Sequence, residues 1–463
     1  LTFKVNHLNF FHFFKYQFQV ITITINKNTK LPMLSHEINI KNVFLLQNKT
    51  LLSLFYNITI KLVSFLAFLL GGLHKKLRLG QKGRKESLQL LKQSLSPSDK
   101  VIWLHCASLG EYEQGLPVFE ALKTHYLEHK FVLTFFSPSG YEVRKKTPIA
   151  NLVVYLPLDN KSTVDSFLNI TNPKLVVFVK YDLWPNYLQE LKRRHITTVL
   201  ISALFRSSQP YFKSYGGWFK KLLFTFDHIF IQDSESKALL ESIGYTRCSL
   251  SGDTRFDRVR NQLKTDNSLD FIAKFKDTKT CIVAGSTWPE DDVLLIDYIN
   301  ASSDSIKFIV APHNIDPKQI NRMLKKIQKP ALLYSNYKNE TLENKSVFII
   351  DTVGLLTKIY NYADIAYIGG GMGSSGLHNT LEAATFGVPI VIGKNYQKFP
   401  EAKAMLIKGG LFSISNHVSL QKTLDRLVVN PQERKELGQT NKDYITQNKG
   451  ATEHVMAEIT KLY

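Results

Sequence analysis

Gly369-Gly-Gly-Met-Gly-Ser-Ser-Gly-Leu-His-Asn-Thr-Leu-Glu382 follows a short apolar run, Ile365–Ile368, and leads into helix-forming sequence, Leu381–Phe386. A strand that ends in glycines and turns into a helix is a phosphate-binding device. Glycines let the backbone approach a ligand closely, and a helix N-terminus presents unpaired N–H groups and a positive dipole end. The chain then passes through Gly387, Val388 and Pro389 into a second apolar run, Ile390–Gly393. That order points to a nucleotide-sugar site. A kinase-type loop needs Lys and then Ser or Thr straight after its last glycine, where Leu377 and His378 stand. The spacing Gly371-x-Gly373-x-x-Gly376 fits the dinucleotide pattern, but it lies deep in the C-terminal half rather than at the start of a domain.

Working outward, short apolar runs alternate with helical patterns from Val101 onward. The first series predicts strands at Val101–His105, Phe131–Phe136, Leu152–Leu156, Leu175–Val179, Thr198–Ser202 and His228–Gln232, with helices such as Tyr112–Tyr126 and Ser234–Ile243 between them. A second series predicts strands at Cys281–Gly285, Phe308–Ala311, Ser346–Ile350, Ile365–Ile368 and Ile390–Gly393. Such alternation predicts α/β domains with parallel sheets covered on both faces. Two of them, 101–262 and 263–463, are expected, with ligands bound in a cleft at the ends of their strands.

Apolar residues make up 44% of the 463-residue chain, enough for two sizeable cores. Cys106, Cys248 and Cys281 are far apart and show neither metal spacing nor a disulfide framework, which predicts plain thiols in a reducing compartment. The formal charge of +20 is unevenly spread: residues 1–100 hold 15 Lys/Arg against 3 Asp/Glu. A uniformly basic nucleic-acid binder would not look like this, so no nucleic-acid partner is expected. Residues 51–73 are mainly apolar with Lys61 as the one charge, and Lys75, Lys76, Arg78, Lys82, Arg84 and Lys85 follow at once. This predicts a membrane anchor helix over 51–73, spanning or lying in the interface, with a buried core helix as the remaining reading. A basic juxtamembrane segment over 74–100 would sit on the cytoplasmic side against anionic lipids. Residues 1–50, whose first Met is Met33, show no clear period and are assigned no function: disordered, or upstream of the true start.

Four constellations carry possible chemistry. In His105-Cys-Ala-Ser-Leu-Gly-Glu111 a strand end leads into a helix start. Glu111 is placed there either as a base for a hydroxyl nucleophile or as a first-turn acid on its own helix. Glu113 is the rival and is expected to face solvent. Lys180, Tyr181 and Asp182 follow a strand and precede Trp184-Pro185-Asn186; they either orient an acceptor or form a structural ion pair. In Ser251-Gly-Asp-Thr-Arg-Phe-Asp257, Arg255 is either a contact for an anionic leaving group or a surface arginine. In the second series, Ala284–Glu290, Ala311-Pro-His-Asn314 and Asp351-Thr-Val-Gly354 end strands on the same side as the Gly369 run, as the walls of a nucleotide pocket would. His105, His313 and His378 are isolated in the sequence, without metal-ligand spacing.

Taken as an ordered set, His105–Glu111, Leu183-Trp-Pro-Asn186, Gly252–Asp257, Ala284-Gly-Ser-Thr287, Ala311-Pro312, Asp351–Gly354 and the block ending at Glu382 resemble the 3-deoxy-D-manno-octulosonic acid (Kdo) transferases of lipopolysaccharide synthesis. The resemblance runs from about Leu51 to the C-terminus. It implies a GT-B fold of two Rossmann-like domains, with an N-terminal membrane-anchoring helix, at the bacterial inner membrane and with the catalytic domains on the cytoplasmic side. It also implies transfer of Kdo from CMP-Kdo to the glucosamine disaccharide of a lipid A precursor, by inverting displacement without cofactor or metal. Glu111 matches the family's general base, and Asp182 and Arg255 match positions that steady charge in the transition state. Pro312 and His313, Val353, Gly354 and Leu355, and Asn379, Thr380, Leu381 and Glu382 match its CMP-binding blocks, with Asn379 at the phosphate and Glu382 at the ribose.

Three blocks depart from the pattern. The family has Arg after Ala-Pro where this chain has His313, and Glu-Thr-Glu where it has Lys180-Tyr181-Asp182; Arg255 replaces Lys and keeps the charge. Two other readings remain open: a GT-B transferase using a UDP-sugar on another lipid-linked acceptor, and a membrane-tethered nucleotide-binding protein without catalysis.

Overall fold

The computed structural model describes residues 52–62 and 75–463. The segment 1–50 and most of the expected anchor lie outside the described residues. Two seven-stranded parallel sheets make up the molecule. The first contains β1 (Val101–Cys106), β2 (Lys130–Phe135), β3 (Leu152–Tyr155), β4 (Pro173–Val179), β5 (Thr197–Ala203), β6 (His228–Ile231) and β7 (Cys248–Leu250). The second contains β8 (Thr280–Thr287), β9 (Ile306–Pro312), β10 (Ala331–Leu333), β11 (Val347–Ile349), β12 (Ile365–Ile368), β13 (Ile390–Gly393) and β14 (Leu411–Ile414).

Strand order decides where chemistry can sit. The orders are β3-β2-β1-β4-β5-β6-β7 and β10-β11-β9-β8-β12-β13-β14. The winding switches sides between β1 and β4 in the first sheet and between β8 and β12 in the second, where β11 also returns to lie between β10 and β9. Open α/β sheets bind ligands beyond the carboxyl ends of the strands at such switch points. Glu111 follows β1 and Asp182 follows β4; Trp288 follows β8 and the Gly369 run follows β12. The central strands β1 and β9 are buried along their whole length, as parallel strands covered on both faces require.

The chain divides into two compact units at Leu250/Ser251, with residues 113–125 of the helix Leu109–His125 grouped in the second unit. The expected boundary at 262 therefore differs by one helix, Thr254–Gln262. That helix belongs to the second unit because Phe256 and Val259 are buried in its core, and Asp257 accepts from the Gly450 and Thr452 N–H groups, each at 2.7 Å.

Within the basic segment expected at 74–100, residues Lys75–Ser94 form a helix packed on the first unit. Arg84 donates to the Phe136 carbonyl at 2.6 Å and lies 4.4 Å over its ring. Gly83 is required there, since a Cβ would come within 2.2 Å of the Tyr155 ring. Residues 52–62 are helical. Tyr56 and Ile60 are buried in the first core, and the Tyr56 hydroxyl donates to Asp159 at 2.6 Å. Leu54, Phe55, Ile58 and Leu62 remain exposed. Among the described residues no helix is long and apolar enough to cross a membrane.

Candidate functional site

In the first unit, Glu111 sits in the first turn of the helix Leu109–His125. Its Oε2 accepts the Ala107 N–H at 2.5 Å and the Ser108 N–H at 3.2 Å, so the β1–helix turn itself holds the carboxylate in place. Burial, and then the Asp182 charge, push its carboxyl up to about 8, against Lys180 and the two backbone N–H groups. A carboxylate of that basicity suits removal of a proton from a hydroxyl near neutral pH.

Asp182 is buried, and its Oδ2 is 2.5 Å from His105 Nε2 and 3.0 Å from the Trp184 indole nitrogen, which donates to it. Lys180, at the end of β4, adopts a left-handed backbone with φ of 72°, a strained conformation for a side chain with a Cβ. Its ammonium lies 5.8 Å from the Tyr181 ring centre. The family's first acid is thus replaced by a cation whose field opposes that of Asp182 at Glu111.

In the second unit, the Gly369 run is organised by a residue that sequence reasoning passed over. Asp291 stands in the first turn after Trp288-Pro289, and its side chain is buried. Its Oδ2 accepts the Gly370 N–H at 2.8 Å and the Trp288 N–H at 2.9 Å, while Oδ1 accepts the Tyr367 hydroxyl at 2.8 Å. Gly370 has a φ of 89°, and a Cβ there would lie 2.1 Å from the Gly376 carbonyl oxygen. The glycines thus serve the loop's own close backbone crossing as much as any ligand.

The helix expected after the run is a single turn, Leu381–Ala384, cut short by Gly387 at a φ of 73° and by Pro389. One turn supplies little dipole, so the helix-terminus argument for phosphate weakens. Asn379 is already engaged: its carbonyl oxygen accepts from Leu381 N–H at 3.1 Å and its amide donates to Glu382 at 3.2 Å. Thr380 is buried, and its hydroxyl has no partner among the described residues. Leu381 is a core residue.

The histidines isolated in the sequence come together in space. Trp288 stacks on His313 at 4.7 Å and 17°, and His313 meets His378 at 4.4 Å. The Trp288 indole N–H donates to His378 Nε2 at 3.1 Å. Burial, then His313, bring His378 down to about 4, and burial lowers His313 too. Where the resemblance implies a cationic Arg, this chain has a ring stack in which burial favours the neutral forms. No group of metal-binding side chains forms among the described residues.

Arg255 is not a free surface arginine. It bonds Asp253 at 2.7 Å and Glu401 at 2.9 Å; burial opposes its charge, but the two carboxylates more than offset that and hold the guanidinium above its ordinary value. Glu113, expected to face solvent, is paired with Arg258 at 2.8 Å, and Arg258 also reaches Glu382 at 3.2 Å. The 311–314 and 351–355 blocks end β9 and β11 as expected, with Pro312 buried, His313 exposed and Val353 81% exposed. Cys106 and Cys281 are buried, Cys248 is partly buried, and no disulfide joins them.

A family profile described as 3-deoxy-D-manno-octulosonic-acid transferase (kdotransferase) matches residues 78–258. The chain is 28% identical over 374 residues to the 3-deoxy-D-manno-octulosonic acid transferase of Haemophilus influenzae, covering 78% of this chain and 86% of the relative. It is also 28% identical to the transferase of the same name from Aquifex aeolicus, covering 73% and 88%. Among solved structures it resembles UDP-GlcNAc 2-epimerase from Neisseria meningitidis, with a TM-score of 0.56 at 14% identity over 78% of this chain and 100% of that one. That likeness concerns the fold: two parallel-sheet α/β units of the GT-B kind.

Proposed function

We propose that this chain, a glycosyltransferase belonging to the 3-deoxy-D-manno-octulosonic acid transferase family, transfers Kdo from CMP-Kdo to the glucosamine disaccharide of a lipid A precursor. The observation that carries this reading is Glu111: a half-buried carboxyl raised to about 8, fixed by its own turn at the switch point of the first sheet. In the proposed reaction Glu111 takes the proton of the acceptor's primary hydroxyl as that oxygen attacks the anomeric carbon of Kdo. CMP departs from the opposite face, so the configuration inverts and no covalent enzyme intermediate forms.

The second unit is proposed to hold CMP. Glu382 would accept from ribose hydroxyls, and the buried Thr380 hydroxyl is a further donor beside it. His313, in its stack with Trp288, would meet the nucleotide through a neutral ring rather than a charged fork. Asp182 is proposed to shape the charge around Glu111. Arg255 would contribute positive potential through a guanidinium that Asp253 and Glu401 already orient. No metal enters the proposed displacement, so chelation with EDTA is expected to leave turnover unchanged.

For localisation we propose the bacterial inner membrane, with both units on the cytoplasmic side. Support comes from residues 52–62, which pack Tyr56 and Ile60 on the protein and leave Leu54, Phe55, Ile58 and Leu62 open. That division favours a helix lying in the lipid interface over one spanning the bilayer. The function is tested by incubating purified protein with CMP-Kdo and a tetra-acylated lipid A precursor and weighing the product. A mass gain of one or more Kdo units is expected; no gain, or displacement of bound CMP by equimolar UDP, would favour a UDP-sugar donor or a silent protein instead.

A further inference from the structure

His105 is fully buried on β1, and no step proposed so far uses it. Both of its ring nitrogens are engaged by side chains. The Trp103 indole donates to Thr134 Oγ1 at 2.8 Å, so the single Thr134 proton is left for one acceptor. Two acceptors are within reach, His105 Nδ1 at 2.7 Å and the Leu104 carbonyl at 3.4 Å, and the shorter contact is to the imidazole. With Nδ1 accepting, Nε2 carries the ring proton, and it points at Asp182 Oδ2 across 2.5 Å. The Trp184 indole, which can only donate, lies 3.0 Å from the same oxygen and 3.1 Å from His105 Nε2; with Nε2 protonated, its N–H goes to Asp182. A carboxylate this deeply buried is stable as an anion only when such donors satisfy it.

We propose that His105 is a positioning residue: with Trp184 it holds the Asp182 carboxylate as the fixed anionic neighbour of Glu111. The proposal rests on Glu111 being the base. The chain of contacts runs Thr134–His105–Asp182 from the interior of the first sheet to the loop after β4, and Asp182 then acts on Glu111 through its charge. Other groups face the same region. Lys180 opposes Asp182 at Glu111; Tyr181 feels Glu111 and Arg206; Tyr211, Asp159 and Tyr56 feel Asp182. Of these, His105 and Trp184 bond the Asp182 side chain directly. Removing the imidazole takes away the donor that fixes the Asp182 carboxylate, and the repulsion that raises the proton affinity of Glu111 weakens.

The test is the titration of Glu111 itself, followed by carboxyl-carbon NMR in ligand-free protein and assigned by its loss in Glu111→Gln. His105→Gln keeps an amide donor near the Nε2 position and is expected to titrate with the wild type. His105→Ala is expected to lower the Glu111 midpoint by about 1–2 units, and to move the acid limb of kcat by the same amount with the donor KM unchanged. Trp184→Phe removes the other donor and is expected to shift the midpoint in the same direction by less. A merely structural His105 would lower activity or stability without moving the midpoint. Unshifted midpoints in both folded His105→Ala and Trp184→Phe would overturn the proposal, and if the first does not fold, the second decides. The titration needs no turnover, so it stays informative if Kdo transfer fails; turnover by Glu111→Gln would instead refute the base reading.

Discussion

Replacing Asp291 by alanine should collapse the Gly369 loop. Asp291 receives the N–H groups of Gly370 and Trp288 and the hydroxyl of Tyr367, all between 2.8 and 2.9 Å. Alanine leaves three donors, two of them buried and one partly buried, without that acceptor, each worth about 1–3 kcal/mol. Burial already raises the carboxyl's proton affinity, against the pull of the Gly370, Trp288 and Met372 N–H groups and the Tyr367 hydroxyl, so part of that gain offsets desolvation. We take about 4 kcal/mol as the expected loss. For a unit of this size about 1 kcal/mol moves Tm by 2–4 °C, giving a drop of roughly 8–16 °C. Differential scanning calorimetry measures it, with Glu290→Ala on the same turn as the exposed control. Hydrogen exchange should localise the change to residues 368–376, and CMP affinity should fall with it. If Asp291→Ala melts within about 2 °C of Glu290→Ala, or exchange in the loop is unchanged, the reasoning is wrong.

Three further outcomes follow from other contacts. His313→Arg should restore a permanent cation beside Trp288; calorimetric CMP affinity should rise by roughly tenfold at low salt and lose most of that gain at high salt, whereas salt-independent affinity would contradict a phosphate contact there. Asp159, fully buried, is pushed up to about 6 by burial despite accepting from Tyr56, Asn186 and Tyr187. Its folded value lies above its unfolded one, so its contribution is present at low pH and lost as pH rises through about 6. The stability of wild type relative to Asp159→Asn should fall by ~1 kcal/mol between about pH 5 and about pH 7, and urea unfolding showing a flat difference would refute this. Arg258→Ala leaves Glu113 and Glu382 without their shared cation. CMP binding should weaken by about tenfold, and unchanged affinity by titration calorimetry would remove Arg258 from the nucleotide site.

Much of the architecture is legible in the chain because parallel strands buried on both faces read as apolar runs. β1, β4, β5, β8, β9 and β12 all stand where such runs do. The strands without a signal are β7, β10 and β14. Each is an edge strand of three or four residues with partly exposed positions, so its pattern is too short and too polar to stand out. At the site, the turn around Glu111 is local and readable, since its acceptor contacts are three and four residues away. Its electrostatic setting is not: His105 and Asp182 are 77 residues apart and meet because β1 and β4 are neighbours in the sheet. The same holds for Asp291 and Gly370, and for His313 and His378, which the order of β8, β9 and β12 brings together. Sheet order is a tertiary choice that no local period encodes. Asp291 left one readable trace, an acid three residues after Trp288, where a side chain can reach back to the first N–H of a helix.

The central claim is that Glu111 is the base of a Kdo transfer. Its most direct test is the single-turnover rate of Kdo transfer from CMP-Kdo to the lipid A precursor, in wild type and in Glu111→Gln, with bound CMP measured in parallel. The expected result is a rate lower by about 10²–10⁴-fold with CMP affinity unchanged. A Glu111→Gln enzyme that transfers Kdo at the wild-type rate would contradict the account.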